Sequence, residues 1–384
     1  MSRGRRGRHD VFFIVAPRSG RSKNLGRVRS QYPDRRRNMR LEHAFTKCPG
    51  TKKGDPAEYL IDGVNEGQYD HGVVELLSVA SAWSYADLGT YTDRLCQMGL
   101  EGEVVSICVR NEAILVDAKA YLYQSADKRL GILTLRGVEQ DDIIPWLTDP
   151  RATMTPFPTV GSAHGGLYRS GMALWPTLRE FLAALYTGKP LGKRLVELSP
   201  KKPGKRPESE VEQIGKKKPQ LEALYITGHS TGGSLAGMAT AGIHIDPKFA
   251  PMRPLVRGLY AYGPAMFADP TLARTLDKLF GDKTYRFMYE NDFVTKMPPL
   301  SVGRYEHFGR QMVSSNRDGV WVEELRLDRQ IRAHVTANLV GAISRAKDAI
   351  YLSMSPTMRY AWGDHSPTNY MRISRNAYVG LDHP

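Results

Sequence analysis

The protein has 384 residues, of which 41% are hydrophobic and 24% charged, which is enough apolar material for one large folded domain with appendages. No segment approaches the roughly 20 consecutive apolar residues of a membrane span. The first apolar run, residues 11–16, is also shorter than the core of about 7 to 15 residues in a signal peptide. Neither a membrane anchor nor an export signal is predicted, so cytoplasmic residence is the expectation.

The net charge of +14 is concentrated near the amino terminus. Residues 1–54 hold 16 Lys and Arg residues against three acidic ones, whereas the rest of the chain is close to neutral. Because this segment lacks helical or strand periodicity, we expect a flexible basic extension over 1–54 and a folded domain over 55–384. The extension could bind an anionic partner, such as a phosphate backbone or membrane surface, or it could be a solvated leader. Without interleaved aromatic residues, specific nucleic-acid binding is not expected.

The three cysteines, Cys48, Cys96 and Cys108, lack the spacing of a metal site and cannot all pair with one another. Reduced thiols are therefore expected. No metal or organic cofactor is predicted either, because the chain contains no H-E-x-x-H, no phosphate-binding P-loop and no strand-linked G-x-G-x-x-G.

From about residue 70, segments rich in β-branched and aromatic residues alternate with helical segments. Strands are predicted at 114–123, 131–135, 221–227, 256–262 and 283–289. Helices are predicted at 177–186, 231–242, 270–280 and 330–351. This alternation predicts an α/β fold with a mostly parallel sheet, helices on both faces and a site at the carboxyl ends of the strands. The segment 189–220, rich in proline and lysine, is expected to be an exposed insertion.

The strongest motif joins the third predicted strand to the helix after it. Gly228, Ser230 and Gly232 form G-x-S-x-G, with an apolar strand before the motif and a helix of small residues after it. This is the context of a nucleophile elbow, in which glycines let strand and helix approach and the serine adopts a strained turn. We therefore predict Ser230 as the nucleophile. The alternative is that Ser230 only caps a helix.

Five blocks, in a fixed order over about residues 72–372, resemble the class 3 lipase family of fungal-type triacylglycerol lipases and their relatives. They are Leu-Thr-Leu-Arg-Gly at 133–137, Asp-Asp-Ile-Ile-Pro-Trp-Leu-Thr-Asp at 141–149, His-Gly-Gly-Leu at 164–167, Gly-His-Ser-Thr-Gly-Gly at 228–233, and Tyr-Gly-Pro at 262–264 followed by Asn-Asp-Phe-Val at 291–294 and Pro-Pro at 298–299. The resemblance implies an α/β-hydrolase fold and a serine hydrolase that cleaves carboxylic esters, with lipid or acylglycerol esters as the expected substrates.

A serine nucleophile needs a histidine to take its proton and a carboxylate to orient that histidine, and in α/β-hydrolases the acid precedes the histidine. Asp292 follows the strand 283–289 and matches the family's acid position, although it could instead serve an Asx-turn. His365 stands in a block similar to the family's late Asp-His-x-x-x-x-Tyr. We prefer it as the base to His307, whose surroundings resemble a non-catalytic block. His334 and His383 are set aside.

The resemblance also implies an oxyanion hole built from the backbone N–H groups of Val138 and Thr231. The family usually has Thr or Ser where this chain has Val138, so a side-chain hydroxyl is missing and a weaker hole is expected. His229, beside the nucleophile, is expected to pack under the oxyanion loop and not to act as the base.

The block 141–149 resembles a lid that contacts substrate through Ile143, Ile144, Trp146 and Leu147. Such a lid could open at a lipid surface. Equally, these side chains could pack an ordinary loop of a soluble esterase. A second hypothesis for the whole chain is a catalytically silent hydrolase fold that binds a ligand or partner, against which the retention of three triad candidates argues.

Overall fold

A computed structural model describes residues 11–15, 40–48, 56–64, 67–111, 113, 116–139, 142–149, 153–199, 208–289, 292–314, 320–324 and 363–381. The predicted helix at 330–351 lies outside these residues. So do the two histidines set aside above, His334 and His383.

A ten-stranded sheet forms the centre of the molecule. Its strands in spatial order are β1 (Val11–Val15), β2 (Arg40–Cys48), β3 (Gly102–Asn111), β4 (Val116–Ser125), β5 (Leu130–Arg136), β8 (Ala223–His229), β9 (Val256–Tyr262), β10 (Thr284–Tyr289), β11 (Arg310–Ser314) and β12 (Val322–Glu324). Neighbours from β5 to β11 are parallel, whereas β2 to β5 and the β11–β12 pair are antiparallel. A separate antiparallel pair consists of β6 (Met154–Pro156) and β7 (Ser162–His164).

Helices cover both faces of the sheet. They are α1 (Pro56–Glu58), α2 (His71–Trp83), α3 (Leu88–Gln97), α4 (Ile143–Thr148), α5 (Gly165–Thr187), α6 (Leu191–Leu198), α7 (Thr231–Ile245), α8 (Pro270–Phe280) and α9 (Pro367–Leu381). One apolar core joins α5, α7 and α8 to the sheet, and a second, rich in tyrosine, joins α2 and α9 to the opposite face. Side chains along β5 alternate between the two cores, as the period of a strand requires. The α/β prediction is confirmed.

Capping explains why α8 matches its predicted range. The side chain of Asp269 accepts a hydrogen bond from the N–H of Leu272 at 2.7 Å, and Pro270 occupies the first turn. By contrast, α5 begins twelve residues before the predicted 177–186 and contains Pro176 within it. A proline inside a helix ordinarily kinks or ends it. Tertiary packing overrides that preference, because the helical segments before and after Pro176 both bury side chains in the core, among them Leu174 and Leu178.

The amino-terminal extension differs from its prediction. Residues 1–54 were expected to lie outside the fold, yet β2 pairs with β3 antiparallel along all nine of its residues. This strand was not predicted, because the sequence around it is rich in basic residues. A strand is held in a sheet by backbone hydrogen bonds, to which charged side chains are no obstacle. The folded domain therefore begins earlier than the predicted boundary.

The insertion at 189–220 is also more integrated than expected. Its first helix, α6, buries Arg194, whose guanidinium lies 2.6 Å from the carboxylate of Glu180. Lys189 lies 2.6 Å from the buried carboxylate of Glu210. Its charges are thus paired across the fold, whereas the prediction rested on its prolines and on repulsion between like charges. Residues 200–207 are outside the described part of the chain.

Cys96 is disulfide-bonded, so the expectation of reduced thiols is wrong for this residue. An odd number of cysteines excludes complete pairing but does not exclude one bridge. Among the described residues, no helix is long and apolar enough to cross a membrane. Within the same residues, no group of three or more His, Cys, Asp or Glu side chains could hold a metal ion.

Candidate active site

The turn between β8 and α7 holds Ser230 in a strained conformation. Its φ is 60° and its ψ is −136°, a region that non-glycine residues rarely adopt. The two glycines of the motif make this turn possible. A Cβ on Gly228 would lie 2.5 Å from backbone atoms of Gly232, and a Cβ on Gly232 would overlap the carbonyl oxygen of Leu135. Helix α7 therefore begins in direct contact with the end of β5, and Ser230 projects between them.

Three side chains from distant parts of the chain meet at this turn. The Nε2 atom of His365 lies 2.8 Å from the Oγ of Ser230, and its Nδ1 lies 2.8 Å from Oδ2 of Asp292. Ser230 follows β8, Asp292 follows β10, and His365 precedes α9. A carboxylate only accepts hydrogen bonds, so Nδ1 carries the proton and Nε2 is left to accept from the serine hydroxyl. This is the arrangement in which a histidine can take the proton of a serine.

The carboxylate of Asp292 receives two further hydrogen bonds. The N–H of Val294 donates to Oδ1 at 2.9 Å, and the hydroxyl of Tyr370 donates to Oδ2 at 2.6 Å. Burial, followed by the nearby charge of Asp292, raises the pKa of Tyr370 well above its ordinary value, so the phenol remains a donor. These contacts fix the orientation of the carboxylate. The sequence offered a signal for this role, because Tyr370 ends the Asp-His-x-x-x-x-Tyr block.

His229 links the loop of the base to the opposite side of the site. Its Nε2 donates to the backbone carbonyl of His365 at 2.8 Å, so its Nδ1 accepts from the hydroxyl of Tyr85 at 2.9 Å. Burial, and then the proximity of His365, lower the pKa of His229 well below its ordinary value and keep the ring neutral. Both ring nitrogens are engaged elsewhere, so His229 does not act on Ser230. No motif in the sequence indicated a role for Tyr85.

His307, the competing candidate for the base, occupies a different position. Its Nε2 donates to the backbone carbonyl of Thr295 at 2.7 Å, in the loop after Asp292. The nitrogen that a base would offer to the serine is therefore directed to a structural carbonyl, whereas His365 contacts both the serine and the acid.

The predicted oxyanion donors lie beside the nucleophile, but one of them is already engaged. The N–H of Val138 donates to Oγ1 of Thr231 at 2.9 Å, in a buried position. Thr231 is the first residue of α7, where backbone N–H groups have no acceptor within the helix. The site thus presents one such N–H group together with the hydroxyl of Thr231.

The side chains of the predicted lid are packed inward. Ile143, Trp146 and Leu147 are buried in the same core as α5 and α7, while the side chain of Ile144 lies outside the described part of the structure. The ring of His164 holds the carboxyl end of α4, since its Nε2 donates to the carbonyl of Leu147 at 3.3 Å. Burial lowers the pKa of His164 to about 4.

Solvent does not reach the triad in this conformation. Ser230 and His365 are 0% exposed and Asp292 is 1% exposed. A substrate can therefore reach the serine only if part of the surrounding structure moves.

A comparison with protein families identifies this region. The model described as lipase (class 3) matches residues 132–302, from β5 through the elbow to the loop after Asp292. This part of the chain matches the class 3 lipase family. The resemblance noted in the sequence is confirmed, and the protein is a carboxylic ester hydrolase. The matched segment ends before His365, so it does not bear on that histidine, which the hydrogen bonds place between Ser230 and Asp292.

Solved structures of fungal lipases are similar to this protein. Lipase II from Rhizopus niveus shares 18% identity over 63% of this chain and 80% of that chain, with a TM-score of 0.44. The lipase from Rhizopus microsporus var. chinensis shares 17% identity over 63% of this chain and 74% of that chain, with a TM-score of 0.43. The triacylglyceride lipase of Rhizomucor miehei shares 16% identity over 63% of this chain and 79% of that chain, with a TM-score of 0.44. No curated protein matches the sequence.

Proposed function

We propose that this protein hydrolyses carboxylic esters through an acyl-enzyme formed on Ser230. The observation that carries the proposal is the continuous hydrogen-bonded series from Ser230 to His365 to Asp292, with both distances at 2.8 Å. Such a series activates a serine that would be a poor nucleophile by itself.

In the proposed reaction, the Oγ of Ser230 attacks the ester carbonyl carbon while its proton passes to Nε2 of His365. The carbonyl electron pair moves onto oxygen, giving a tetrahedral oxyanion beside the amino terminus of α7, whose dipole favours negative charge. The ester C–O bond then breaks and the departing alcohol takes the proton from His365. Water repeats these steps on the acyl-enzyme and releases the acid, while Asp292 stabilises the imidazolium that forms each time.

The substrate that we propose is a lipid ester, with α4 as the lid. The triad is closed to solvent, and the segment six residues after the Arg-Gly of β5 carries Ile143, Trp146 and Leu147, all buried. Movement of α4 would expose this apolar surface, which is unfavourable in water and favourable against lipid. Access to the site would therefore improve at a lipid surface.

A fluorophosphonate probe, followed by p-nitrophenyl esters of increasing acyl length, tests the proposal. We expect the wild type to be labelled and the Ser230→Ala variant to lose both labelling and turnover, by roughly 10⁴-fold or more in kcat. A matched control is Ser234→Ala, which removes a buried hydroxyl of α7 that only donates to the carbonyl of Ala265. Labelling of the control should persist.

The remaining outcomes distinguish the alternatives. Absence of wild-type labelling, both with and without detergent micelles, would reject the enzymatic proposal and favour a fold that only binds a ligand. Turnover that is fastest on short soluble esters, without a gain at micelles of long-chain esters, would reject the lipid substrate and the lid.

A further inference from the structure

The hydroxyl of Thr231 occupies an unusual position, since the family resemblance implies a role for the backbone of this residue only. It is 1% exposed and lies directly after the nucleophile. Its oxygen accepts the N–H of Val138 at 2.9 Å. A hydroxyl has one proton to donate, and no acceptor for that proton is found among the described residues. A buried donor without an acceptor is unfavourable, so its retention calls for a physical reason.

We propose that the Thr231 hydroxyl is the second oxyanion donor of this site. It would donate to the oxygen of the tetrahedral intermediate together with the backbone N–H of the same residue. The N–H of Val138 would stay on Oγ1 of Thr231 and would act on the oxyanion through that hydroxyl. The inference rests on the function proposed above and adds a catalytic side chain to it.

The geometry favours this arrangement for two reasons. Gly137 lies close enough to the nucleophile that a Cβ there would be 3.1 Å from the Cβ of Ser230, so the end of β5 and the start of α7 face the same small space. Threonine is β-branched and therefore stiff about χ1, and its oxygen is held in addition by Val138. The donor is thus oriented before substrate binds, which is the condition for effective electrostatic stabilisation.

The hydrogen bond from Val138 also strengthens the donor. A hydroxyl that accepts a hydrogen bond becomes a better donor, because linked hydrogen bonds polarise one another in a medium of low dielectric constant. The side chain of Val138 has no hydroxyl of its own. The side-chain donor of this hole is therefore supplied by the helix and not by the oxyanion loop.

The contrary possibility is that Thr231 occludes the hole. Its Oγ1 already accepts the N–H of Val138. The hydroxyl could therefore compete with the substrate oxygen for that N–H group. The two possibilities predict opposite results. A donor accelerates the reaction, whereas an occluding group slows it.

The deciding experiment compares Thr231→Val with Thr240→Val in otherwise wild-type protein. Both substitutions replace a 1% exposed threonine of α7 by an isosteric side chain, but Thr240 only donates to the carbonyl of Ala236, far along the helix. We expect Thr231→Val to lower kcat on a p-nitrophenyl ester by about 10² to 10³, as for loss of one oxyanion donor, with KM changed less than about threefold. Thr240→Val should leave kcat within about twofold.

A second readout separates catalysis from folding. An alkylboronic acid, which forms a reversible tetrahedral adduct with the serine, should bind Thr231→Val more weakly by a factor similar to the loss in kcat. Thr231→Ser retains the hydroxyl and should keep most of kcat, while urea unfolding of all variants should be alike. If kcat falls as far in Thr231→Ser as in Thr231→Val, loss of the hydroxyl is not the cause of the lower kcat.

The outcomes distinguish this inference from the proposed function. An active wild type whose Thr231→Val variant turns over as fast as Thr240→Val, or faster than wild type, would overturn the donor role alone. A wild type that neither reacts with fluorophosphonate nor turns over esters would overturn the proposed function, and the inference with it.

Discussion

At the scale of single residues, the site is held together by side chains that do not themselves touch the serine hydroxyl. Tyr85 lies beside the backbone of Gly137, where an added Cβ would be 2.5 Å from its Oη, and it donates to His229, which in turn donates to the carbonyl of His365. The oxyanion loop and the loop of the proposed base are thereby joined through two side chains. Because small displacements of reacting groups reduce rates strongly, such contacts matter for catalysis as well as for stability.

His164 gives a prediction on pH dependence. Burial lowers its pKa from 6.5 to about 4, so below pH 6.5 the unfolded chain binds a proton that the folded chain does not. The free energy of unfolding therefore falls as the pH decreases from about 6.5 to about 4, by up to about 3 kcal/mol from this residue. Urea unfolding of wild type and His164→Gln at pH 7.5 and pH 4.5 measures the difference.

The expected result is a smaller loss of stability on acidification in His164→Gln than in wild type. Stability at pH 7.5 is not the readout, because glutamine need not reproduce the contact with Leu147. If the free energy of unfolding falls equally in both proteins between pH 7.5 and pH 4.5, His164 is not kept neutral by the fold.

At the scale of elements, the close contact between β5 and α7 decides where the site lies. The amino terminus of α7 presses against the end of β5 at Gly232, while its later turns pack on α5. The parallel strands β5, β8, β9 and β10 all end at this edge of the sheet, which brings Ser230 and Asp292 together. The site is thus a consequence of helix–strand contact at glycine positions.

Replacing Gly232 by alanine tests this contact. The new Cβ would overlap backbone atoms of Leu135 and Gly137, which cannot move independently of the sheet. We expect the free energy of unfolding to fall by about 1 to 3 kcal/mol and kcat to fall by at least tenfold. The control is Gly171→Ala in α5, where the nearest atom is 3.2 Å away in the flexible side chain of Met238.

Gly171→Ala should change stability by less than about 1 kcal/mol, with normal turnover, since alanine is the better helix former. Urea unfolding and ester kinetics on both variants measure the two effects. Equal behaviour of the two variants would mean that the close approach at the elbow is not required.

At the scale of the whole molecule, the parallel strands β5 to β11 carry the site, and the antiparallel strands β2 to β5 extend towards the amino terminus. Strand β2 covers the outer edge of β3 along its whole length. The site residues follow β8 and β10, several strands away. Loss of β2 should therefore affect stability and solubility more than chemistry.

Two truncations test this division. Removal of residues 1–39 keeps β2, whereas removal of residues 1–54 deletes it. We expect the longer truncation to have the lower midpoint of thermal unfolding and the greater tendency to aggregate, because an edge strand is exposed. Turnover of a short soluble ester should stay within about threefold in both proteins when they are assayed while folded. A collapse of turnover in the longer truncation alone would mean that β2 supports the site itself.

The sequence by itself determined the α/β class, five of the strands, the elbow at Ser230 and the candidates Asp292 and His365. These features depend on local patterns, such as alternation, small residues at a tight turn and the order of motif blocks. Only the tertiary structure decided that Val138 donates to Thr231, that Tyr85 and His229 join two loops, and that β2 belongs to the sheet. These contacts join residues far apart in the chain, and their geometry depends on packing that no local pattern encodes.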